Sequence, residues 1–262
     1  MVGTRLMTRG GADDDRGEWD MGALSGTHLT LLNGFAVTQD GRPRPIPASA
    51  TRLVAYLGLQ HQPVPRSRAA GVLWPNSSQD HAFACLRSTL WRLRKVLPEL
   101  IQGEAEMLWI GAEVEADVDL VIRVADTLAS GHDPDEGVVV PLGWFAHELL
   151  PDWDDDWVYI EREHFRMTAL HALEQMSASY RRKGQFAQAI ESALAAIAVE
   201  PMRESPRRAL VAAFLAEGNI SDALAHVKHY TAILDTELGV APSAQLTGLV
   251  ANLGLARASA RR

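Results

Sequence analysis

A single cysteine, Cys85, among 262 residues excludes an intrachain disulfide framework and suits a reducing compartment. Aromatic residues are sparse at 6%. No apolar run approaches the roughly 18 residues a membrane helix requires, and the start, MVGTRLMTRGGADDDRGEWD, lacks the apolar segment of a secretory signal. A cytoplasmic protein with no membrane partner is expected. The chain also lacks GxxxxGK[ST], a strand-GxGxxG-helix and GxSxG, so the common nucleotide-binding and hydrolase signatures are missing. With no catalytic constellation, neither enzymatic activity nor a cofactor is expected.

What is present is ordinary globular material, 47% hydrophobic and 22% charged, long enough for two modest domains. Its formal charge of −8 is unevenly placed. Thr27 to Leu100 carries nine cations against three acids, a net of +6. Residues 1–26, rich in Gly and Asp and expected to form a disordered leader, carry −2, and Ile101 onward carries −12. A basic front joined to an acidic back gives reason to suspect nucleic acid at the front, although a basic surface serves acidic proteins equally well.

In the front, HLTLLNGFAV alternates as half-buried strands do, with Leu29 and Leu31 and then Phe35 and Val37 on one face, broken by Asn33-Gly34. Ser49 is placed to cap a helix running to about Gln60, and a second short helix spans about Ser67 to Trp74. The third, from Ala82 to Leu97, has Phe83, Leu86, Leu90, Leu93 and Leu97 at i, i+3, i+4, i+7 spacing, one buried stripe. At about 100° per residue, Ala84, Ser88, Trp91, Arg92 and Lys95 point away from it, with Arg87 and Arg94 on its flanks. Such a helix is either a solvated basic face, a face packed on the acidic half, or one shaped for a major groove, where Arg reads guanine and Arg or Lys neutralises phosphates. Arg66 and Arg68, opening the second helix, join the DNA-contact candidates. The stretch MLWIGAEVEADV alternates as a strand pair, placed where a winged helix-turn-helix needs its wing.

The back is almost continuously helical in pattern from Glu161 to Leu238. Tyr180/Phe214, Gly184/Gly218, Phe186/Ile220 and Ala189/Ala223 are each 34 residues apart, the tetratricopeptide period, where small residues let paired helices approach. Helices over about Asp119–Ala129 and Trp157–Tyr180 are expected to complete the array. Three sets resemble metal sites and fall short. The acids of Trp153-Asp154-Asp155-Asp156-Trp157 point in different directions and suit a helix start, Glu161 and His164 form a single ExxH, and His226 with His229 lacks a third ligand. Cys85, with no nucleophile pattern around it, is a packing residue.

Three stretches together, ACLRSTLWRLRKVL, ELLPDWDDDWVYIEREHFRMTALHALE and GQFAQAIESALAAIAVEPMRESPRRALVAAFLAEGNISDALAHVKHYTAILDTELGVAPS, resemble the actinomycete antibiotic regulatory proteins. The resemblance covers about His28 to Leu246. It implies a mainly α protein: an N-terminal OmpR-like winged helix (27–117) followed by an all-α, tetratricopeptide-like bacterial transcriptional activator domain (118–251), then a flexible tail (252–262). It further implies a transcriptional activator of an antibiotic gene cluster, with double-stranded DNA at promoter direct repeats and RNA polymerase as partners and a homodimer formed on DNA. Arg87, Ser88, Trp91, Arg92, Arg94 and Lys95 become the residues of a recognition helix. Larger relatives carry an ATPase domain further on, so nucleotide-driven regulation is not expected here. Two features depart from the pattern: the wing region is acidic (Glu104, Glu106, Glu113, Glu115) and Pro65 stands where Ser or Thr usually caps the second helix. A helical-repeat interaction or ligand-sensing protein that no longer binds DNA is the alternative.

Overall fold

The computed structural model describes residues 25–132 and 140–259; nearly all of the expected leader lies outside them. The chain divides into two compact units that do not follow one cut of the sequence at 117/118. The front unit runs to Val121 and takes back His147–Phe165, and the back unit holds Ile122–Ala146 and Arg166 onward. Among the described residues no helix is long and apolar enough to cross a membrane.

The front unit opens with β1 (Thr27–Thr30), β2 (Ala36–Gln39) and β3 (Arg42–Pro43), the first two joined through Asn33, whose φ of 59° is left-handed, and Gly34. Next come α1 (Ala48–Gly58), β4 (Val64–Pro65), α2 (Arg66–Leu73), α3 (Gln79–Val96), β5 (Ile101–Gln102), β6 (Met107–Ile110) and β7 (Val114–Ala116). This is the expected winged helix-turn-helix order. Ser49, however, caps nothing: α1 starts one residue earlier, after Pro47, whose fixed φ already suits a helix entry. Leu53, Val54 and Leu57 of α1, Ala69, Ala70 and Leu73 of α2, and Leu86, Leu90 and Leu93 of α3 form one buried core with Leu100 and Leu108.

The wing differs from expectation. Residues 104–118 do not make one strand pair: β6 pairs antiparallel with β5 and β4, whereas β7 leaves it to run parallel to β1 in a sheet ordered β3-β2-β1-β7. Glu104 and Glu106 therefore stand at the β5–β6 turn, while Glu115 lies in β7 with its carboxylate 3.7 Å from His28. Alternation alone cannot say which partner a strand takes, and a break at Gly111 suffices to send the two halves to different sheets.

Asp117 locks that arrangement at the start of α4 (Asp117–Ala129). Its carboxylate accepts from the N–H of Leu31 (3.0 and 3.1 Å), Leu32 (3.0 Å) and Val118 (2.8 Å). Burial pushes the carboxyl up to about 6, against the pull of these three amides. The returning segment 147–165 seats on the same strand end. Leu149 bridges Leu32, Asn33 N–H donates to Glu148 O (2.8 Å) and Leu150 N–H to Leu31 O (2.9 Å).

The back unit contains α5 (Leu142–Ala146), the later part of α6 (Asp156–Arg182), α7 (Phe186–Val199), α8 (Glu204–Glu217), α9 (Ile220–Leu238) and α10 (Ala244–Ser259), the last occupying much of the stretch expected as a flexible tail. The 34-residue period is visible in hydrogen bonds. Gly184 N–H reaches Arg181 O and Gln185 N–H reaches Tyr180 O; Gly218 and Asn219 repeat this to Leu215 and Phe214. Gly184 and Gly218 have φ of 73° and 94°, the left-handed C-cap that Cβ disfavours. Ala189 and Ala223 are both fully buried. The pair Phe186/Ile220 matches less well, since Ile220, the first residue of its helix, is exposed.

Replacing Asp117 with Ala leaves the buried amides of Leu31 and Leu32 without acceptors, at about 1–3 kcal/mol each. Urea unfolding of Asp117→Ala is expected to show a loss of about 2–4 kcal/mol; an unchanged midpoint would remove Asp117 from this role.

Candidate nucleic-acid interface

The geometry of α3 decides what the front unit presents. Ser78 caps the helix, its hydroxyl accepting from His81 N–H (3.4 Å), so that α3 begins at Gln79, three residues before the expected Ala82. Asp80 in the first turn and Arg94 and Lys95 in the last suit the helix dipole. Ala82, Leu86, Thr89, Leu90 and Leu93 face the core; Phe83, expected there, is half-buried because Ala82 and Thr89 share the inner face. Arg87, Ser88, Trp91, Arg92, Arg94 and Lys95 are all exposed on one broad arc. Among the described residues, none of these four cations forms a salt bridge.

Two contacts refine that face. Lys95 Nζ sits 3.6 Å from the centroid of the Trp91 ring, a cation–π pair at i, i+4 that the sequence spacing permitted but did not reveal. Beside the arc opens a cleft of about 430 Å³ lined by α1, the end of α2 and the flank of α3, which brings Arg52 and Ser49 near Ser88 and Arg92. Cys85 lies in its wall, with Sγ 3.6 Å from His81 Nε2.

Arg66 and Arg68 stand differently from the α3 cations. Arg66 is half-buried and fastens the wing turn, its Nε donating to Ala105 O (3.1 Å) and its backbone N–H to Glu106 O (2.7 Å). Arg68 is exposed and adjoins the Tyr56 hydroxyl, whose pKa burial raises against the opposing charge and hydrogen bond of Arg68. Arg52 is ion-paired to Asp155.

That last pair corrects the reading of Trp153–Trp157. Asp155 offers its carbonyl to Val158 and Tyr159 at the start of α6, but its carboxylate goes to Arg52 rather than to a cap. The flanking rings form a chain, Phe35–Trp153 (5.8 Å), Trp153–Trp157 (6.2 Å) and Trp157–Tyr56 (5.3 Å). Arg162, half-buried, completes the seat by donating to Leu149 O (2.9 Å), Leu150 O (2.5 Å) and Trp153 O (3.2 Å) and pairing with Glu148 (3.0 Å). Asp155 and the rings of this motif are fasteners, while Asp156 stands in the first turn of α6 as expected of an acid at a helix start.

In the back unit Arg207, only 5% exposed, plays a comparable part. It donates twice to Pro201 O (3.1 and 2.7 Å) and lies 4.3 Å over the Tyr230 ring, while the Tyr230 hydroxyl donates to Met202 O (2.9 Å). His226 sits 3.5 Å from the same guanidinium, a poor place for a metal cation. Among the described residues no group of three or more His, Cys, Asp or Glu is arranged to hold one. Burial, then the charges of Arg207 and His229, lower the His226 pKa to about 4.

Residues 141–253 match the family described as the bacterial transcriptional activator domain, a family of transcriptional regulators rather than enzymes. Among solved structures the chain is similar to Mycobacterium tuberculosis EmbR, determined in complex with a low affinity phosphopeptide, with 19% identity and a TM-score of 0.63. The match covers 86% of this chain and spans 64% of the length of EmbR, and at that identity it shows the fold. No curated protein matches the chain.

Because His226 is harder to protonate folded than unfolded, its neutral form contributes stability that is complete above about pH 6.5 and is lost as pH falls toward 4. Thermal melts of the wild type and His226→Gln between pH 7 and 4 should show a shallower acid decline in the variant. Parallel declines would contradict the assignment.

Proposed function

We propose that this transcriptional regulator of the antibiotic regulatory protein type, a winged helix joined to a bacterial transcriptional activator domain, is a sequence-specific DNA-binding activator of a secondary-metabolite gene cluster. The observation that carries the reading is the solvent-facing arc of α3, with Arg87, Arg92, Arg94 and Lys95 exposed and, among the described residues, free of salt bridges. A basic arc of this kind fits a major groove, where each phosphate neutralised releases counterions and a bidentate Arg discriminates one base by about 1–3 kcal/mol. Arg68 extends the positive surface at α2, and Arg66 serves by holding the wing turn. The acidic turn at Glu104 and Glu106 is suited to standing off the phosphates.

In this reading the helical unit supplies the homodimer on promoter direct repeats and the contact with RNA polymerase. A helical-repeat protein that has lost DNA binding is the competing reading, favoured by the acidic wing turn alone.

Gel shifts at several salt concentrations separate the two. Arg92→Ala and Lys95→Ala should each weaken binding to promoter duplex; loss of a phosphate contact lowers the slope of log K against log salt by about 1, while loss of a base contact costs about 1–3 kcal/mol at one position. Affinity unchanged in both variants would remove α3 as the recognition element.

A further inference from the structure

Resting on that reading of α3, we propose that Trp91 is a base-reading residue that covers the C5-methyl group of thymine in the major groove, with Lys95 positioning its ring. Trp91 is 60% exposed at the centre of the cationic arc. An indole left in water forgoes the stabilisation that burial of its apolar surface would bring. Its neighbours on the arc are Ser88, Arg87, Arg92, Arg94 and Lys95, so among the described residues of α3 it has no large apolar neighbour on that arc. Val96, the other exposed large apolar residue of α3, lies about 140° away around the helix at 100° per residue.

A partner that fits Trp91 must therefore be apolar at one point and anionic around it. Duplex DNA has that pattern: thymine alone among the four bases shows a methyl group in the major groove, and phosphates line the groove edges. A protein surface that matched would need an apolar knob ringed by carboxylates, and nothing else on α3 calls for one. Lys95 adds the second element. Its ammonium covers one face of the ring at 3.6 Å, a contact that favours this placement of the indole and leaves the other face and the edge for a base. An ordered ring gives up less rotamer freedom on binding than a free one.

Uracil-for-thymine scanning tests this, since it deletes the methyl group and nothing else. The full chain is used with duplexes selected from a randomised library, first unmodified and then with uracil at one thymine position at a time. Wild type is expected to lose about fourfold in affinity at one or two positions, the worth of one methyl-sized group at about 0.8 kcal/mol. Trp91→Ala should be indifferent to uracil at those positions with its salt slope unchanged, and Trp91→Phe should regain part of the preference. Because Trp91 is exposed, circular dichroism of Trp91→Ala should match wild type. Wild-type affinity that is flat across the scan, or uracil sensitivity that persists in Trp91→Ala, overturns the assignment of Trp91. If either appears while Arg92→Ala still weakens binding, α3 as recognition helix survives; if no duplex is bound selectively, both readings fall.

Discussion

Burial of Leu86, Leu90 and Leu93 against α1 and α2 fixes the rotation of α3, and with it the direction of every cation the helix carries. A turn of one residue, about 100°, would bring Arg87 or Arg94 toward the leucine core, where an unpaired charge is far costlier than the same charge in water. The core therefore orders the surface: the same leucines that stabilise the front unit hold Trp91, Arg92 and Lys95 in one outward arc. Local signals agree with the packing at both ends, through the Ser78 cap and the cations of the last turn, so the helix is specified at more than one level.

The remaining arginines show a different use of the same side chain. Arg162 donates to three backbone carbonyls and Arg207 donates twice to one, Pro201 O, at points where the chain changes direction, and Arg203 pairs with Glu174 while also reaching Ser205. A planar guanidinium with five donors suits this, because one group satisfies carbonyls that a reversal would otherwise leave unpaired. These residues fall in the stretches that most resemble the antibiotic regulatory proteins, around ERE and EPMRESPRR. A family signature can therefore record how loops are fastened and say little directly about the partner.

The fold class, the order of the front elements and the 34-residue period were legible because each rests on a short-range pattern: leucine spacing, glycine at a left-handed cap, small residues at helix contacts. The wing was misread because alternation reports a strand without reporting its neighbour, and β7 pairs with β1 more than eighty residues earlier in the chain. The same limit hid Arg52–Asp155 and the fastening of the wing turn by Arg66, both set by tertiary contact. Counting Arg52 and Arg66 with the free basic charge overstated what α1 and α2 present. Within α3, by contrast, every outward residue named from the helical wheel is exposed, since a wheel needs only the direction of the core. Lys95 over Trp91 lies between these cases: i, i+4 spacing allows the contact and the rotamers decide it.

The net charge of −8 first weighs against a nucleic-acid partner, and screening decides how much weight it deserves. At physiological ionic strength the Debye length is about 8 Å, so an exposed charge acts mainly on what lies within a helix diameter of it. The α3 arc is thus governed by its own four cations, none of which forms a salt bridge among the described residues, and acids farther away than a Debye length add little to the potential at its surface. Within the front unit, Glu104 and Glu106 stand at the β5–β6 turn. That turn cannot be drawn closely against a phosphate backbone without cost, so the proposed DNA-binding role places the attraction on α3 and on Arg68 of α2 rather than on the wing turn.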